Sequence, residues 1–303
     1  MISEDSDRAL SSFPVVLGTV GGGNEFRTQN ASPQDWERRN VIERTQDAIH
    51  IYCDLMDVKH GTLGPGGGGD LATLMLFRFR FDPQKTSRRI LEATVKVDFI
   101  AANPYENKLE VSAIAPEERW SLAATTDHEQ VVKGGDLSLS SGASVVTAAG
   151  SIKREKTTTR DVSHATMVTG SINLGRGRNS GRRTVARWRL LENGKRRTGV
   201  PDSVRAAVVL SRTTDDPFNA VVTIEAKADL VTAFSSSVSS LFKQLPLDDP
   251  VLFNPKAELE RLSKEGRSIG VENLGELDLY GPCDARITGR RYLYSDEAES
   301  EST

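Results

Sequence analysis

The feature that most constrains the fold of this chain is a repeated alternation of apolar and polar residues with a period of two. In the segment LATLMLFRFRFD, residues 71–82, Phe77 and Phe79 alternate with Arg78 and Arg80. The segment ILEATVKVDFI, residues 90–100, repeats the pattern with different residues. Successive side chains of a strand point to opposite faces, so this alternation is typical of antiparallel strands with one buried and one wet face.

The same pattern returns in the second half of the chain. In TVARWRLL, Trp188 stands between Arg187 and Arg189, and SVRAAVVLSR and AVVTIEAKADL read as further strands. The arginines beside Trp188 are therefore predicted on the outer face of a strand, opposite an apolar neighbour. We expect the inward positions to form one buried cluster that includes Phe77, Phe79, Val95, Val97, Trp188, Val208 and Ile224.

Several such strands at spacings of roughly 10 to 20 residues, with little helix between them, predict a mainly β fold. The prediction is an antiparallel β-sandwich with a short N-terminal helix and a small C-terminal helical segment. In chain order the expected parts are a disordered arm at 1–30, a short helix at 31–46, the β-sandwich domain at 47–232, a C-terminal helical extension packed on the sandwich at 233–294, and a disordered acidic tail at 295–303.

The helices are predicted from capping residues. Ser32 is expected as the N-cap and Pro33 as the first helical residue of the short helix, with acidic residues in its first turn. SSSVSSLFKQLP, residues 235–246, has apolar residues at helical spacing, and NPKAELERLSKEG, residues 254–266, has Asn254 and Pro255 at a predicted helix start. The arm and the tail have too few apolar residues to offset the entropy of ordering.

Composition excludes several classes of protein. The net charge of -3 gives the whole chain no bias toward nucleic acid or membranes. No apolar stretch approaches the roughly 20 residues of a membrane helix, and the acidic, polar start MISEDSDRALSSF does not resemble a secretory signal. We therefore expect a cytoplasmic or nuclear protein that is not secreted and has no transmembrane helix.

The motifs of common catalytic and cofactor sites are missing from the sequence. The two cysteines, Cys53 and Cys283, form no CxxC pair, and neither HExxH nor GxSxG occurs. The glycine loops Gly64–Gly69 and Gly175–Gly181 lack the GK[ST] ending or the following helix of a phosphate-binding loop. We predict no cofactor and no metal site, assign no catalytic residue, and favour a non-enzymatic protein over an enzyme.

The densest local charge lies between Arg176 and Arg197. The residues expected in or beside its turns form a candidate anion-binding patch if both turns fold to one edge; they are Arg176, Arg178, Arg182, Arg183, Lys195, Arg196 and Arg197. The alternative is a solvated face balanced by the acidic arm and tail. Because Trp188 is predicted in the core, base stacking is not supported and no sequence-specific nucleic-acid binding is predicted.

Three stretches occur together in this chain: GTLGPGGGGDLATLMLFRFRF, ARWRLLENGKRRTGVPDSVRAAVVLSR with DDPFNAVVTIEAKAD, and LDDPVLFNPKAELE. As a set they resemble a family of uncharacterised intracellular proteins from filamentous fungi, over roughly residues 47–285. The resemblance implies an intracellular β-sandwich and no particular activity, cofactor or site residue.

These observations leave three functional hypotheses. The first is a non-enzymatic intracellular β-sandwich scaffold or binding module, acting through surface contacts with an unknown protein partner or an anionic surface. The second is a membrane-active, pore-forming-like β protein that uses the Ser/Thr-rich segment 134–170. The third is a small-molecule enzyme, such as a cyclase, with a pocket inside the sandwich.

Overall fold

A computed structural model describes most of the 303-residue chain. The described residues are 12–15, 27–46, 49–65, 68–83, 89–133, 156–175, 179–229, 248–257 and 273–293. Their strands are β1 Ser12–Val15, β2 Asn40–Gln46, β3 Ile49–Thr62, β4 Leu71–Pro83, β5 Ile90–Ala101, β6 Glu110–Ala115, β7 Glu118–Lys133, β8 Lys156–Asn173, β9 Val185–Leu191, β10 Ser203–Arg212, β11 Phe218–Asp229, β12 Val251–Phe253, β13 Asp284–Ile287 and β14 Arg290–Leu293.

The strands form two antiparallel sheets, which confirms the predicted β-sandwich. Sheet A has the order β1-β11-β5-β9-β8-β7, and β12 joins the same edge of β11 as β1. Sheet B has the order β14-β13-β10-β4-β3-β2, and β6 pairs with β10 beyond β13. Some strands pair with neighbours that are distant in the chain, because β5 pairs with β9 and β11, and β4 pairs with β10 as well as with β3.

The core lies between the sheets and contains the cluster predicted from the alternation. Six of its seven predicted members are fully buried: Phe77, Phe79, Val95, Val97, Trp188 and Val208. The seventh, Ile224, is partly buried and packs against that core. The arginines on either side of Trp188 are half-buried or exposed on the outer face of sheet A, as the period of two requires.

Trp188 is fixed in the core by a hydrogen bond and a close backbone approach. Its indole Nε1 donates to the carbonyl oxygen of Pro116 at 3.1 Å, and its ring lies 5.6 Å from that of Phe79, centroid to centroid. Gly170, opposite Trp188 in β8, leaves room for the same carbonyl, since a Cβ at this position would lie 2.0 Å from the Pro116 oxygen. This side of the core therefore requires glycine at position 170.

Half of the outer face of sheet B is covered by residues 273–283, which we call the cover segment. Leu274 packs on Ala72 and Val209, while Cys283 packs on Ala115 and Ala207. A 3-10 turn, Leu274–Glu276, places Leu274 against the sheet with 1% exposure. Alanine, valine and leucine on the outer side of strands need such a cover, because they would otherwise expose apolar area to water.

The predictions for the N-terminal region are wrong where the structure describes it. Ser12–Val15 of the expected disordered arm forms β1 and pairs with Ala226–Asp229 of β11. Residues 27–30 are also held, since the backbone N–H groups of Thr28 and Asn30 donate to the carboxylates of Asp248 and Asp249 at 2.9 and 3.0 Å. The rest of the arm lies outside the described residues.

The short helix expected at 31–46 is replaced by a turn and a strand. The Ser32 hydroxyl accepts a hydrogen bond from the Gln34 N–H, as an N-cap side chain would. The Ser32 carbonyl, however, accepts from the Asp35 N–H, which closes a tight turn. Glu37 then has φ of 56°, which ends any right-handed helix. Residues 40–46 become β2, because pairing with β3 and burial of Val41 and Ile42 stabilise a strand there.

The C-terminal helical extension expected at 233–294 is also corrected. Residues 255–257 are helical after Asn254, as predicted, but both predicted helices otherwise fall outside the described residues. The described remainder adds β12 to sheet A and β13 and β14 to sheet B. The predicted acidic tail at 295–303 lies outside the described residues.

Strands β7 and β8 form a ribbon that runs past the rest of sheet A. They are 16 and 18 residues long, whereas β8 pairs with β9 only over Met167–Asn173. The earlier part of β8 pairs with β7 alone, in a register that ends at Lys133 opposite Lys156. The Ser/Thr-rich segment 134–170 is therefore described only from residue 156, where it belongs to β8.

Candidate functional site

The candidate basic patch is divided by β9. Arg182 and Arg183 precede this strand and Lys195, Arg196 and Arg197 follow it, while Arg176 and Arg178 lie outside the described residues. A strand of seven residues is about 20 Å long. The two turns therefore lie at opposite ends of the sandwich, and the structure does not bring their side chains to one edge.

The turn after β9 holds its three basic residues outward, and we call residues 193–197 the basic turn. Asn193 is 1% exposed, and its Oδ1 accepts hydrogen bonds from the backbone N–H groups of Lys195 and Arg196 at 3.0 and 3.2 Å. Its carbonyl oxygen accepts from the Arg197 N–H at 2.9 Å, and its Nδ2 donates to the carbonyl of His164 at 3.1 Å. With the backbone fixed this way, the side chains of Lys195, Arg196 and Arg197 are exposed.

A second set of bonds closes the basic turn against β5. The Glu192 carboxylate accepts from the Gly199 N–H at 3.2 Å and lies 3.4 Å from the Arg89 guanidinium. Gly199 has φ of 80°, a conformation that favours glycine, and the Val200 N–H donates to the Ile90 carbonyl at 2.8 Å. Glu192, the acidic residue that directly precedes the basic turn, is therefore occupied by anchoring contacts.

Beyond Asp202 the chain enters β10, and here the strand register assembles a surface that sequence reasoning missed. Ser203 pairs with Arg80 on one side and with Arg286 on the other, and Arg286 pairs with Arg291. These residues form one row across the outer face of sheet B. Two positions further along the strands, Arg205 pairs with Arg78 and lies beside Asp284.

We call this surface the arginine face, defined by Arg78, Arg80, Arg205, Arg286 and Arg291 with Asp54, Asp82 and Asp284. Arg205 binds both Asp284 oxygens at 2.7 Å, and Arg291 donates to the same carboxylate at 2.6 Å. Arg78 binds Asp54 at 2.6 Å, whereas Arg80 lies 3.8 Å from Asp82 and stacks over Tyr52. Five arginines thus face three aspartates, and exposed Arg286 forms no ion pair within the described part of the chain.

The charge state of Asp284 follows from these contacts. Burial by itself would raise the pKa of this carboxyl group, but hydrogen bonds from Arg205 and Arg291 outweigh it and hold the pKa below the ordinary value. Asp284 is therefore a carboxylate at neutral pH. Its carboxylate, in the strand that also carries Arg286, holds the guanidinium groups of Arg205 and Arg291 on the outer face of the sheet.

The basic turn and the arginine face lie at the same end of the sandwich. Asp202 connects them, since its N–H donates to the Arg286 carbonyl at 2.7 Å and its carbonyl accepts from the Phe81 N–H at 2.9 Å. At the opposite end, Arg182 borders a depression of about 360 Å³ together with Asp98 and Lys108. The two halves of the predicted patch therefore have different surroundings.

Some signals for the arginine face were present in the sequence. The alternation in FRFRF places Arg78 and Arg80 on one outer face, which was predicted. Arg286 and Arg291 lie in CDARITGRRYL, within the predicted helical extension, and the pairing of β13 with β10 brings them to the same face as Arg80. Within the described residues, no group of three His, Cys, Asp or Glu side chains could hold a metal ion.

No protein-family model matches this chain, and no curated protein matches its sequence. Similar solved structures include the Clostridium perfringens NetB toxin in its membrane-inserted form, at 8% identity and a TM-score of 0.26, covering 66% of this chain and 82% of the toxin. Clostridium perfringens delta-toxin is similar at 8% identity and a TM-score of 0.24, covering 61% of this chain and 90% of the toxin. Likeness at this level does not establish a shared function. In the part of the chain that the structure describes, no helix is long and apolar enough to span a membrane.

Proposed function

We propose that the protein is a non-enzymatic, intracellular β-sandwich binding module that engages an anionic partner surface. The contact lies at the end of the sandwich where the basic turn meets the arginine face. The proposal includes a cytoplasmic or nuclear location, which is what the resemblance to intracellular fungal proteins implies.

The observation that carries the proposal is the basic turn. Asn193 uses its carbonyl, its side-chain oxygen and its side-chain nitrogen to hold this backbone, and the result is three adjacent cationic side chains in water. The bonds described above hold the turn through Asn193, Glu192 and the backbone, and none of them uses the guanidinium group of Arg196 or Arg197. The exposed guanidinium groups of Arg196 and Arg197 therefore supply positive charge for contact with a partner.

The arginine face extends the same cationic end onto sheet B. Arg205, Arg78 and Arg291 are held by aspartates, so their guanidinium planes are pre-oriented. Guanidinium groups bind phosphate and carboxylate through paired hydrogen bonds, and pre-orientation reduces the entropy lost on binding. Local charge of this kind attracts an anionic surface even though the whole chain carries -3.

The test compares the two ends of β9 with variants of equal charge change. The probes are vesicles of phosphatidylserine with phosphatidylcholine, and inorganic polyphosphate, each at about 50 and 200 mM salt. We expect salt-sensitive binding that Arg196→Ser/Arg197→Ser reduces at least about tenfold and that the control Arg182→Ser/Arg183→Ser largely retains. Equal losses in both variants would show a net-charge effect and would contradict a site at the basic turn.

A second candidate function is membrane activity, and the β7–β8 ribbon is the observation that favours it. The ribbon projects beyond β9, and the chain between Lys133 and Lys156 continues from its end. Its described pairs are rich in threonine and charge, such as Glu129 opposite Arg160, which favours water over lipid. Leakage of a dye from the same vesicles, abolished when residues 134–155 are shortened, would support insertion; binding without leakage favours the peripheral module.

The described residues offer no observation in favour of the third hypothesis, an enzyme with a pocket inside the sandwich. The described interior is filled by large side chains that include Trp188, Phe77, Phe79 and Phe218. The depression beside Arg182 lies at the rim of sheet A. We therefore retain a binding role as the proposal.

A further inference from the structure

The depression at the Arg182 end of the sandwich has the features of a small-ligand site distinct from the proposed anionic surface. Its volume is about 360 Å³, and its lining includes Asp98, Ile100, Pro104, Lys108, Leu109 and Arg182. We propose that it binds a small apolar carboxylic acid with an ammonium or hydroxyl group next to the carboxylate, such as an α-amino or α-hydroxy acid.

One wall of the depression is a loop fixed by a buried asparagine. Asn107 is 1% exposed; its N–H donates to the Asn103 carbonyl at 2.9 Å, and its Nδ2 donates to the Asp216 carbonyl at 3.2 Å. Its Oδ1 accepts from the Thr213 N–H at 3.3 Å, and the Lys108 N–H donates to the Thr213 hydroxyl at 2.8 Å. The backbone that carries Lys108 is therefore set before any ligand arrives, which lowers the cost of binding.

The opposite wall is the chain that enters β9. The Thr184 carbonyl accepts from the Phe99 N–H at 3.0 Å, and the Arg183 carbonyl accepts from the Val111 N–H at 2.8 Å. These bonds tie the backbone next to Arg182 to both β5 and β6. The Arg182 guanidinium lies 3.3 Å from Glu110, and both side chains are more than one-third exposed, so this ion pair is weak and can yield to a ligand anion.

The chemistry of the lining selects the ligand class. Lys108 and Arg182 supply two cations for a carboxylate, and Lys108 forms no ion pair within the described residues. Asp98 supplies an acceptor for a neighbouring ammonium or hydroxyl, and its carboxylate is positioned by the Thr184 hydroxyl at 3.3 Å. The Asp98 carboxylate also disfavours a doubly charged phosphate, because its negative charge would repel that of the phosphate.

The apolar part of the ligand has a matching surface. Ile100 is 47% exposed, although it is a large aliphatic residue in a strand, and it borders the depression with Pro104 and Leu109. A phenyl or branched alkyl group placed there would cover Ile100 and remove apolar area from water. The volume lies near the lower end of the range of roughly 300 to 1,000 Å³ for ligand sites, which suits a molecule of amino-acid size.

Four probes of one shape test the proposal by amide NMR titration: L-phenylalanine, 3-phenyllactate, 3-phenylpropionate and 2-phenylethylamine. We expect saturable shifts for phenylalanine and phenyllactate, centred on residues 98–101 and 108–109. 3-Phenylpropionate should bind about tenfold more weakly, since it lacks the group that Asp98 accepts from, and 2-phenylethylamine should not saturate. The comparison of phenylalanine with phenyllactate shows whether the natural ligand carries an amine or a hydroxyl.

Three variants decide the outcome. Lys108→Ser/Arg182→Ser should weaken phenylalanine binding at least about tenfold, and Asp98→Asn should reduce the preference for phenylalanine over 3-phenylpropionate. The control Arg196→Ser/Arg197→Ser, at the opposite end of β9, should bind the probes like the parent protein. The absence of saturable shifts with any probe, or unchanged binding by the Lys108/Arg182 variant with an unchanged melting temperature, would overturn the proposal.

Discussion

The outer face of sheet B has two halves that differ in chemistry although the same strands run through both. Along β10, Ser203 and Arg205 point outward in the first half, and Ala207 and Val209 point outward in the second. The second half is buried beneath the cover segment, with Leu274 on Val209 and Cys283 on Ala207. The first half is the arginine face, which remains open to water.

This difference shows that the identity of a few outward-facing residues determines which part of sheet B is covered by another segment of the chain. Outward alanine and valine gain stability only when another element removes them from water. Outward arginines need no covering, because aspartates in neighbouring strands pair with most of them and water solvates the rest. The arginine face is thus the part of sheet B whose charged side chains remain accessible to another molecule.

Leu274→Ala should cause the largest loss, because it opens a cavity in the covered half. Leu274 is 1% exposed, and a buried leucine replaced by alanine costs about 2–5 kcal/mol in unfolding free energy. Urea denaturation measures the change, and Leu293→Ala is the matched control, since Leu293 is 58% exposed. An equal response of the two variants would mean that the cover segment does not contribute to the folded core.

Gly275→Ala should loosen the same cover by steric contact. A Cβ at position 275 would lie 2.2 Å from the Leu63 carbonyl oxygen, so one backbone must shift. We expect a loss of about 1–3 kcal/mol in unfolding free energy, measured by urea denaturation. An unchanged midpoint would show that these two backbones are not in contact.

Asp284→Asn tests the ion pairs of the arginine face. Since the folded pKa of Asp284 lies below the unfolded one, its stabilising effect is present above the unfolded pKa of about 3.9 and is lost as the pH falls through the folded value. We expect the variant to lose about 1–3 kcal/mol at pH 7, with the difference from the parent shrinking as the pH falls below about 4. Asp82→Asn, at a side chain 46% exposed, is the control and should change little.

Arg286→Ser should have the smallest effect on stability, within about 0.5 kcal/mol, because Arg286 is exposed. Its effect should instead be on polyphosphate binding, which we expect to weaken and to depend less on salt. Arg119→Ser makes the same charge change on exposed Arg119 of β7 in sheet A and should leave binding unaltered. Reduced stability without reduced binding would assign Arg286 a structural role instead.

The sandwich could be predicted because the period-two pattern is local. Each residue in FRFRF or ILEATVKVDFI has its inward or outward direction set by its neighbours, so Phe77, Val95 and Trp188 could be placed in the core without knowing their partners. The basic turn could be predicted for the same reason, since Asn193 and Gly199 are turn residues close to Lys195 in the chain.

What the sequence could not show depends on distant pairing. Ser12–Val15 resembles a polar arm until β11, more than 200 residues later, supplies hydrogen-bond partners. Ser32 and Pro33 favour a helix start, yet burial of Val41 and Ile42 against β3 outweighs that local preference. The arginine face and the depression beside Lys108 combine residues from remote segments, so no single stretch indicates them.

The two cysteines are buried in different parts of the structure. The reactivity of each thiol therefore depends on how often the structure around that cysteine opens. Cys53 is fully buried in the central core, whereas Cys283 is the last residue of the cover segment, packs against the outer face of sheet B and donates to the Leu279 carbonyl. Burial raises the pKa of Cys283 to about 12 and that of Cys53 well above its ordinary value, so neither thiol is reactive in the closed protein. The rate at which each thiol reacts with an alkylating reagent then measures how often its region opens. Faster alkylation of Cys283 than of Cys53 would show that the cover segment lifts from sheet B while the core stays closed.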